Sequence, residues 1–196
     1  MRPSPAARPE FVAAFTEIAT RIARPLGGLP QRTLPIAMYV AGGSALHLLT
    51  GERTSADIDA TFSHRIVLPE DLEVAYRDAD GAARLLYFDR QYNDTFALMH
   101  EDAREDSVPL TLEGVNPKIL DVRLLAALDL AVSKISRFSS QDRDDIVALA
   151  RRGLVRAAPL RRRALEAAAG FVCDLATVRA AIELACRIVA DAERPR

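Results

Sequence analysis

Residues 39–62, YVAGGSALHLLTGERTSADIDATF, bring together residue types that can handle a polyphosphate. Gly42 and Gly43, followed by Ser44, stand between a predicted strand and a predicted helix. Two glycines let backbone N–H groups come close to a phosphate, Ser44 adds a hydroxyl at the helix N-terminus, and the first turn of that helix favours an anion. Asp57 and Asp59 are two apart on a predicted strand, so their carboxylates share one face. Held that close, two carboxylates repel, and a divalent cation is the usual remedy. Arg53 and Ser55 precede them in a loop that can touch a nucleotide or its phosphates. Ile58 and Ala60 take the opposite face, which is not the pattern of an ordinary solvent-facing strand. A phosphate cradle and a carboxylate pair within one supersecondary unit are the two halves of a site for a metal-bound triphosphate.

The elements that must hold these residues can be read from periodicity. Phe11, Val12, Phe15, Ile18, Ala19 and Ile22 recur at helical spacing, predicting a helix over 10–26 that Gly27, Gly28 and Pro30 end. Residues 36–40 read as a buried strand, 45–50 as a helix opened by Gly42-Gly43-Ser44 and closed by Gly51, and 56–62 as an alternating strand. Residues 69–77 look helical with Pro69 at the start. Two further strands are expected over 83–89 and 95–100, joined by a turn at 90–94, and another near Ile119 and Leu120. After Asp121 the pattern becomes helical: 124–138, then a helix to about residue 152 opened by a capping box of Ser139 and Asp142, then an alanine-rich helical stretch over 159–192 with Gly170 as its break. The expected class is α+β, with a core domain at 1–122, including the N-terminal helix, and a helical region at 123–196.

Composition bounds the function. The chain of 196 residues is 49% hydrophobic and 27% charged, enough for a packed core and too apolar for wholesale disorder. A net charge of −1 excludes a uniformly basic nucleic-acid coat protein, yet residues 151–196 hold ten arginines against five acidic residues. Cys173 and Cys186 sit in an apolar helix-like stretch and read as buried free thiols. His47 reads as a packed histidine, and His64 and His100 have no partners at zinc-ligand spacing. The most apolar run, 35–50, contains Gly42, Gly43, Ser44 and His47, so no membrane span is expected. No secretory leader is visible, which predicts a cytoplasmic protein. Lys118 and Lys134 are the chain's only lysines beside 24 arginines. Arginine does not replace a compact ammonium, so each is a candidate for a specific role.

The order Gly-Gly-Ser, short helix, Asp-x-Asp resembles the signature of the nucleotidyltransferase superfamily related to DNA polymerase β. Arg53-x-Ser55-x-Asp57-Ile58-Asp59 is similar to the subset that includes AbiE-type toxins of toxin–antitoxin systems. Asp129 to Lys134, then Arg137, then Asp142-Arg143-Asp144-Asp145-Ile146 is similar to a Lys…Arg…Asp-x-x-Asp-Ile motif of that subset. The match spans residues 36–150. The resemblance implies that Asp57 and Asp59 hold Mg²⁺ against an NTP, that Gly43 and Ser44 hold its phosphates with Gly42, Arg53 and Ser55 around them, and that Lys134 gives positive charge to the triphosphate or leaving group. Asp145 either faces the site or pairs with Arg143 or Arg137, and Asp142 favours the helix dipole. The superfamily often adds a third carboxylate from a later strand; Asp89 and Asp94 are the candidates. The implied function is Mg²⁺-dependent transfer of a nucleoside monophosphate to an acceptor, RNA such as a tRNA 3′ end, by a toxin with an antitoxin partner. The alternatives are a small-molecule adenylyltransferase of the antibiotic-modifying kind, and a degenerate member that binds nucleotide or a partner without activity.

Overall fold

The computed structural model describes residues 1–170 and 174–194. The chain divides into two compact units, Met1–Asn93 with Ser107–Leu124, and Asp94–Asp106 with Leu125–Arg196.

The first unit is built on two sheets. Helix α1 (Pro9–Leu26) turns Phe11, Phe15, Ile18 and Ile22 fully inward, and it packs over strands of both sheets. Burying each such side chain contributes about 1.5–3 kcal/mol, so this one face anchors the unit. Strand β1 (Ile36–Val40) is followed by α2 (Gly42–Thr50), β2 (Asp57–Ile58), β3 (Ala60–Phe62), β4 (Glu73–Arg77), β5 (Ala83–Phe88), β6 (Val108–Pro109) and β7 (Leu120–Leu124). One sheet has the order β3-β1-β7-β6, with β1 parallel to β7 and antiparallel to β3; the other has the order β2-β5-β4, with β2 parallel to β5 and β5 antiparallel to β4. Ile36, Met38 and Val40 of β1 and Leu120, Val122 and Leu124 of β7 alternate inward, as one-sided burial requires.

The second unit is helical: α3 (Ala127–Ser133), α4 (Ser140–Arg151), α5 (Ala157–Ala169) and α6 (Leu175–Glu193). Its core is formed by Leu130, Val132, Ile135, Ile146, Leu149, Leu160, Ala164, Ile182 and Val189. Residues 94–106 belong to it: Arg163 of α5 meets Asp106 at 2.6 Å, and within the segment Arg104 meets Asp94 at 2.8 Å.

The α+β class is observed, as are α1, the capping box at Ser139 and the helix break at Gly170. Four expectations are corrected. Residues 69–77 contain no helix: Glu73–Arg77 is a strand, because the Asp78 carboxylate accepts the N–H groups of Asp80 and Ala82 and closes a hairpin onto β5. Residues 95–100 contain no strand; Asp94–Phe96 is a 3₁₀ turn. The strand near Ile119 and Leu120 runs on to Leu124, so the helix expected from 124 starts at Ala127 and ends at Ser133. The strand expected over 56–62 is broken at Asp59, where the chain leaves one sheet for the other. Cys186 is a buried free thiol, and burial pushes its pKa up; Cys173 lies outside the described residues. Among the described residues, no helix is long and apolar enough to cross a membrane.

Candidate functional site

The turn between β1 and α2 and the segment carrying the two carboxylates are bonded directly to each other. The Ala41 N–H donates to the Asp59 carbonyl at 2.8 Å, and the Ser44 hydroxyl donates to the Asp57 carbonyl at 2.6 Å. Ser44 is completely buried, so its hydroxyl positions the Asp57 backbone, and the anion-attracting groups at this helix start are main-chain N–H groups. The Ser55 hydroxyl donates to an Asp57 carboxylate oxygen.

The glycines are explained by what lies against them. Gly42 has φ +60°, and a Cβ built there would stand 1.9 Å from Asp59 Oδ2 and 2.9 Å from Asp59 Cγ. A Cβ on Gly43 would stand 2.9 Å from both Cβ and Oγ of Ser55, and 3.0 Å from an Arg53 terminal nitrogen. The Gly-Gly turn, Arg53, Ser55 and Asp59 are therefore one constellation in van der Waals reach, with Asp57 joined to it through Ser44 and Ser55. Asp57 and Asp59 are both half-buried, open on one side to solvent. Hard oxygen donors with one open side fit Mg²⁺, which keeps several waters and takes one or two carboxylates plus phosphate oxygens. Among the described residues no group of three or more His, Cys, Asp or Glu side chains is arranged to hold a metal ion.

The two candidates for a third carboxylate separate. Asp89 follows β5 directly, and its N–H donates to the Ile58 carbonyl at 3.1 Å, which continues the β2–β5 ladder and sets Asp89 beside Asp59. Its carboxylate accepts the Gln91 N–H at 2.8 Å. Asp94 belongs to the second unit, paired with Arg104. Nothing in the sequence ranks the two, because the ladder that distinguishes them joins residues 30 apart in the chain.

Lys134 and Asp145 also belong to the second unit, and there they meet. Lys134 Nζ donates to Asp145 Oδ2 at 2.6 Å and stands 3.9 Å from Asp142 Oδ1. All three are at least nine-tenths buried. Asp145 thus takes the lysine; the expected alternatives for it were Arg143 or Arg137. Arg137 instead grips Asp142 with two bonds of 2.8 Å. Burial pushes the Asp142 carboxyl up, but the Arg137 fork and the Ser139 hydroxyl and N–H outweigh it and hold the pKa at about 2. Asp142 therefore does more than favour the helix dipole: it ties the turn after α3 to the start of α4. Sequence reasoning also missed Asp129, which is buried and receives Arg163 at 2.8 and 3.0 Å. No local signal marks a pair 34 residues apart.

His47 is the packed residue expected. Its Nδ1 donates to the Glu52 carbonyl at 2.5 Å, its Nε2 accepts the Arg8 N–H at 2.9 Å, and Phe11 meets it edge-on. Burial pushes its pKa down, so the neutral ring clamps the chain before α1 to α2.

No curated protein and no solved structure matches the chain. A model of the family described as "Nucleotidyltransferase of unknown function (DUF6036)" matches residues 19–180, a stretch that includes the Gly-Gly turn, Asp57, Asp59, Lys134 and Asp145. The chain belongs to this family of nucleotidyltransferases.

Proposed function

We propose that the protein transfers a nucleoside monophosphate from an NTP to an RNA acceptor, such as a tRNA 3′ end, with Mg²⁺ held by Asp57 and Asp59. The observation that carries this reading is the close approach of Asp59 to Gly42 with Asp57 two residues away, which joins a half-buried carboxylate pair to a helix N-terminus. Main-chain N–H groups of the first turn of α2 bind the phosphates, and Arg53, beside Gly43, adds positive charge there. Ser44 and Ser55 hold Asp57 by its carbonyl and its carboxylate, so the metal ligand is preorganised before any nucleotide arrives. The cation, when bound, neutralises charge on the triphosphate and lowers the pKa of the acceptor hydroxyl. In this reading Asp89, at the end of β5, takes the proton of that hydroxyl; its N–H bond to the Ile58 carbonyl supports the choice.

Two features support RNA. Arg151, Arg156, Arg162 and Arg187 of the second unit are all exposed, a distribution that suits a phosphate backbone. The second is the resemblance, read from the sequence alone, of Arg53–Asp59 and Lys134–Ile146 to segments of AbiE-type toxins, on which this reading takes the setting to be a toxin paired with an antitoxin protein. Incubation with labelled NTPs, Mg²⁺ and total RNA, comparing the wild-type protein with Asp57→Asn, tests it. Label on RNA that Asp57→Asn abolishes is the expected result. Label on a small molecule would replace the acceptor by the antibiotic type, and no label in any pool would leave a nucleotide- or partner-binding member without activity.

A further inference from the structure

The outer face of the β2-β5-β4 sheet has a row of three side chains across it. Asp57 of β2 is the register partner of Tyr87 of β5, and Tyr87 is the register partner of Glu73 of β4. Register partners project on the same face, about 4.5–5.5 Å apart at Cβ. The inner face alternates with them: Ile58, Leu86 and Phe88 are buried, whereas Tyr87 is 40% and Leu85 46% exposed. An aromatic ring therefore lies open to solvent directly beside the carboxylate assigned to the metal, flanked by a second carboxylate. The Tyr87 side chain has no hydrogen bond or ring contact among the described residues. It also lines a depression of 410 Å³ at the sheet's edge, together with Glu70, Asp71, Leu72, Glu73, Phe88 and Arg90. That volume is in the range of small-molecule sites.

The chemistry of this depression selects its occupant. Glu70, Asp71 and Glu73 stand beside Arg90, whose guanidinium is turned to the carbonyls of Pro69 and Glu70, and Asp71 is paired with Arg21 at 2.7 Å. Carboxylates still outnumber guanidiniums, which disfavours a phosphate here. A flat ring that stacks on Tyr87 and carries N–H donors at its edge is accepted, because acceptor oxygens flank the aromatic ring on both sides. Nucleobases with an exocyclic amino group meet that description, and carboxylates pair with such groups. The donor triphosphate is assigned to the other flank, since the Gly-Gly turn lies against Asp59 and Ser55. We propose that Tyr87 is the stacking platform for the acceptor's nucleobase, a base that carries an exocyclic amino group, with Glu73 accepting from that group. This rests on the reading of the site as one that transfers a nucleoside monophosphate to RNA.

The chain has no tryptophan, so Tyr87→Trp places a single indole at the platform. The test titrates the full-length variant, without NTP, with short single-stranded oligo(rA), oligo(rC) and oligo(rU), and with spermidine as a cationic amine that cannot stack. Quenching by oligo(rA) and oligo(rC), weaker quenching by oligo(rU), and loss of that preference in the added Glu73→Leu background are expected. Oligonucleotide binding should weaken about tenfold or more in Tyr87→Ala and stay near wild type in Tyr87→Phe, since one base–aromatic stack is worth that much. Thermal melting confirms that the variants are folded. Oligonucleotide binding that leaves the indole emission unchanged, equal binding by Tyr87→Ala and wild type, or quenching by spermidine alone would each overturn the proposal. None of these readouts needs turnover. Stacking without any transfer would remove the enzymatic reading and leave the platform standing. Transfer whose acceptor KM is unchanged in Tyr87→Ala would remove the platform alone.

Discussion

Gly42→Ala is the substitution whose consequence follows most directly from the geometry. Two costs are separable. The backbone at φ +60° is left-handed, which costs an L-residue about 1–2 kcal/mol. The new methyl would also stand 1.9 Å from Asp59 Oδ2, 2.9 Å from its Cγ and 3.1 Å from its Cβ, so the carboxylate must leave. Forced overpacking of this kind adds about 1–3 kcal/mol. Gly81→Ala isolates the first cost: Gly81 has φ +77° and nothing within 4 Å of its missing Cβ. Urea unfolding should show Gly81→Ala destabilised by about 1–2 kcal/mol and Gly42→Ala by about 2–5 kcal/mol, the excess being the expulsion of Asp59. Mg²⁺-dependent nucleotide binding, measured by calorimetry, should survive in Gly81→Ala and fail in Gly42→Ala. Equal destabilisation of the two variants, with binding intact in both, would refute the claim that the glycine exists to admit Asp59.

Other consequences concern the buried titratable groups within each unit. His47 has its pKa lowered by burial, so the unfolded chain takes up this proton first; the stability it confers is complete above about pH 6.5 and declines as the pH falls below that. The melting temperature of His47→Gln should vary less over that range than the wild-type value. The Asp142 carboxyl, held at about 2, confers about 2 kcal/mol that is present above its ordinary carboxylate range and lost as the pH falls toward 2. Acid titration of urea unfolding should show that loss in wild type and not in Asp142→Asn. Arg163→Ala leaves the Asp129 carboxylate buried without its counter-ion and should cost about 3–5 kcal/mol in the same assay, while Arg163→Met with Asp129→Leu recovers most of it.

The parts of this fold that could be read in the sequence are those decided within a turn or two of chain. The helical spacing of Phe11, Phe15, Ile18 and Ile22, the alternation of β1 and the Ser139 capping box each carry their own cause. Glu73–Arg77 was misread because alternation over five residues is short, and a preceding proline suits a helix start as well as a loop. What turns it into a strand is the closure of the Asp78 hairpin onto β5, a decision made by partners further along the chain. The Gly-Gly turn and the two aspartates were legible as residue types at a spacing. Their contact was not, because a glycine's reason for being glycine lies in the space beside it, here filled by Asp59 and Ser55.

The break at Asp59 changes the physical account of the carboxylate pair. On one continuous strand, the pleat alone would set both side chains on one face. Here Asp57 is fixed by the β2–β5 ladder and by Ser44, whereas Asp59 has its carbonyl bonded to Ala41, in the turn after β1. Between them Ile58 is fully buried, where the chain passes from one sheet to the other. The separation of the two acids is thus set by how the sheets diverge, and each acid is held by a different element of the turn that would receive the phosphates. A carboxylate pair on a free edge strand would spread to relieve its repulsion. Backbone hydrogen bonds fix both acids, which is the preorganisation that a metal-binding pair would need and a solvated edge would not.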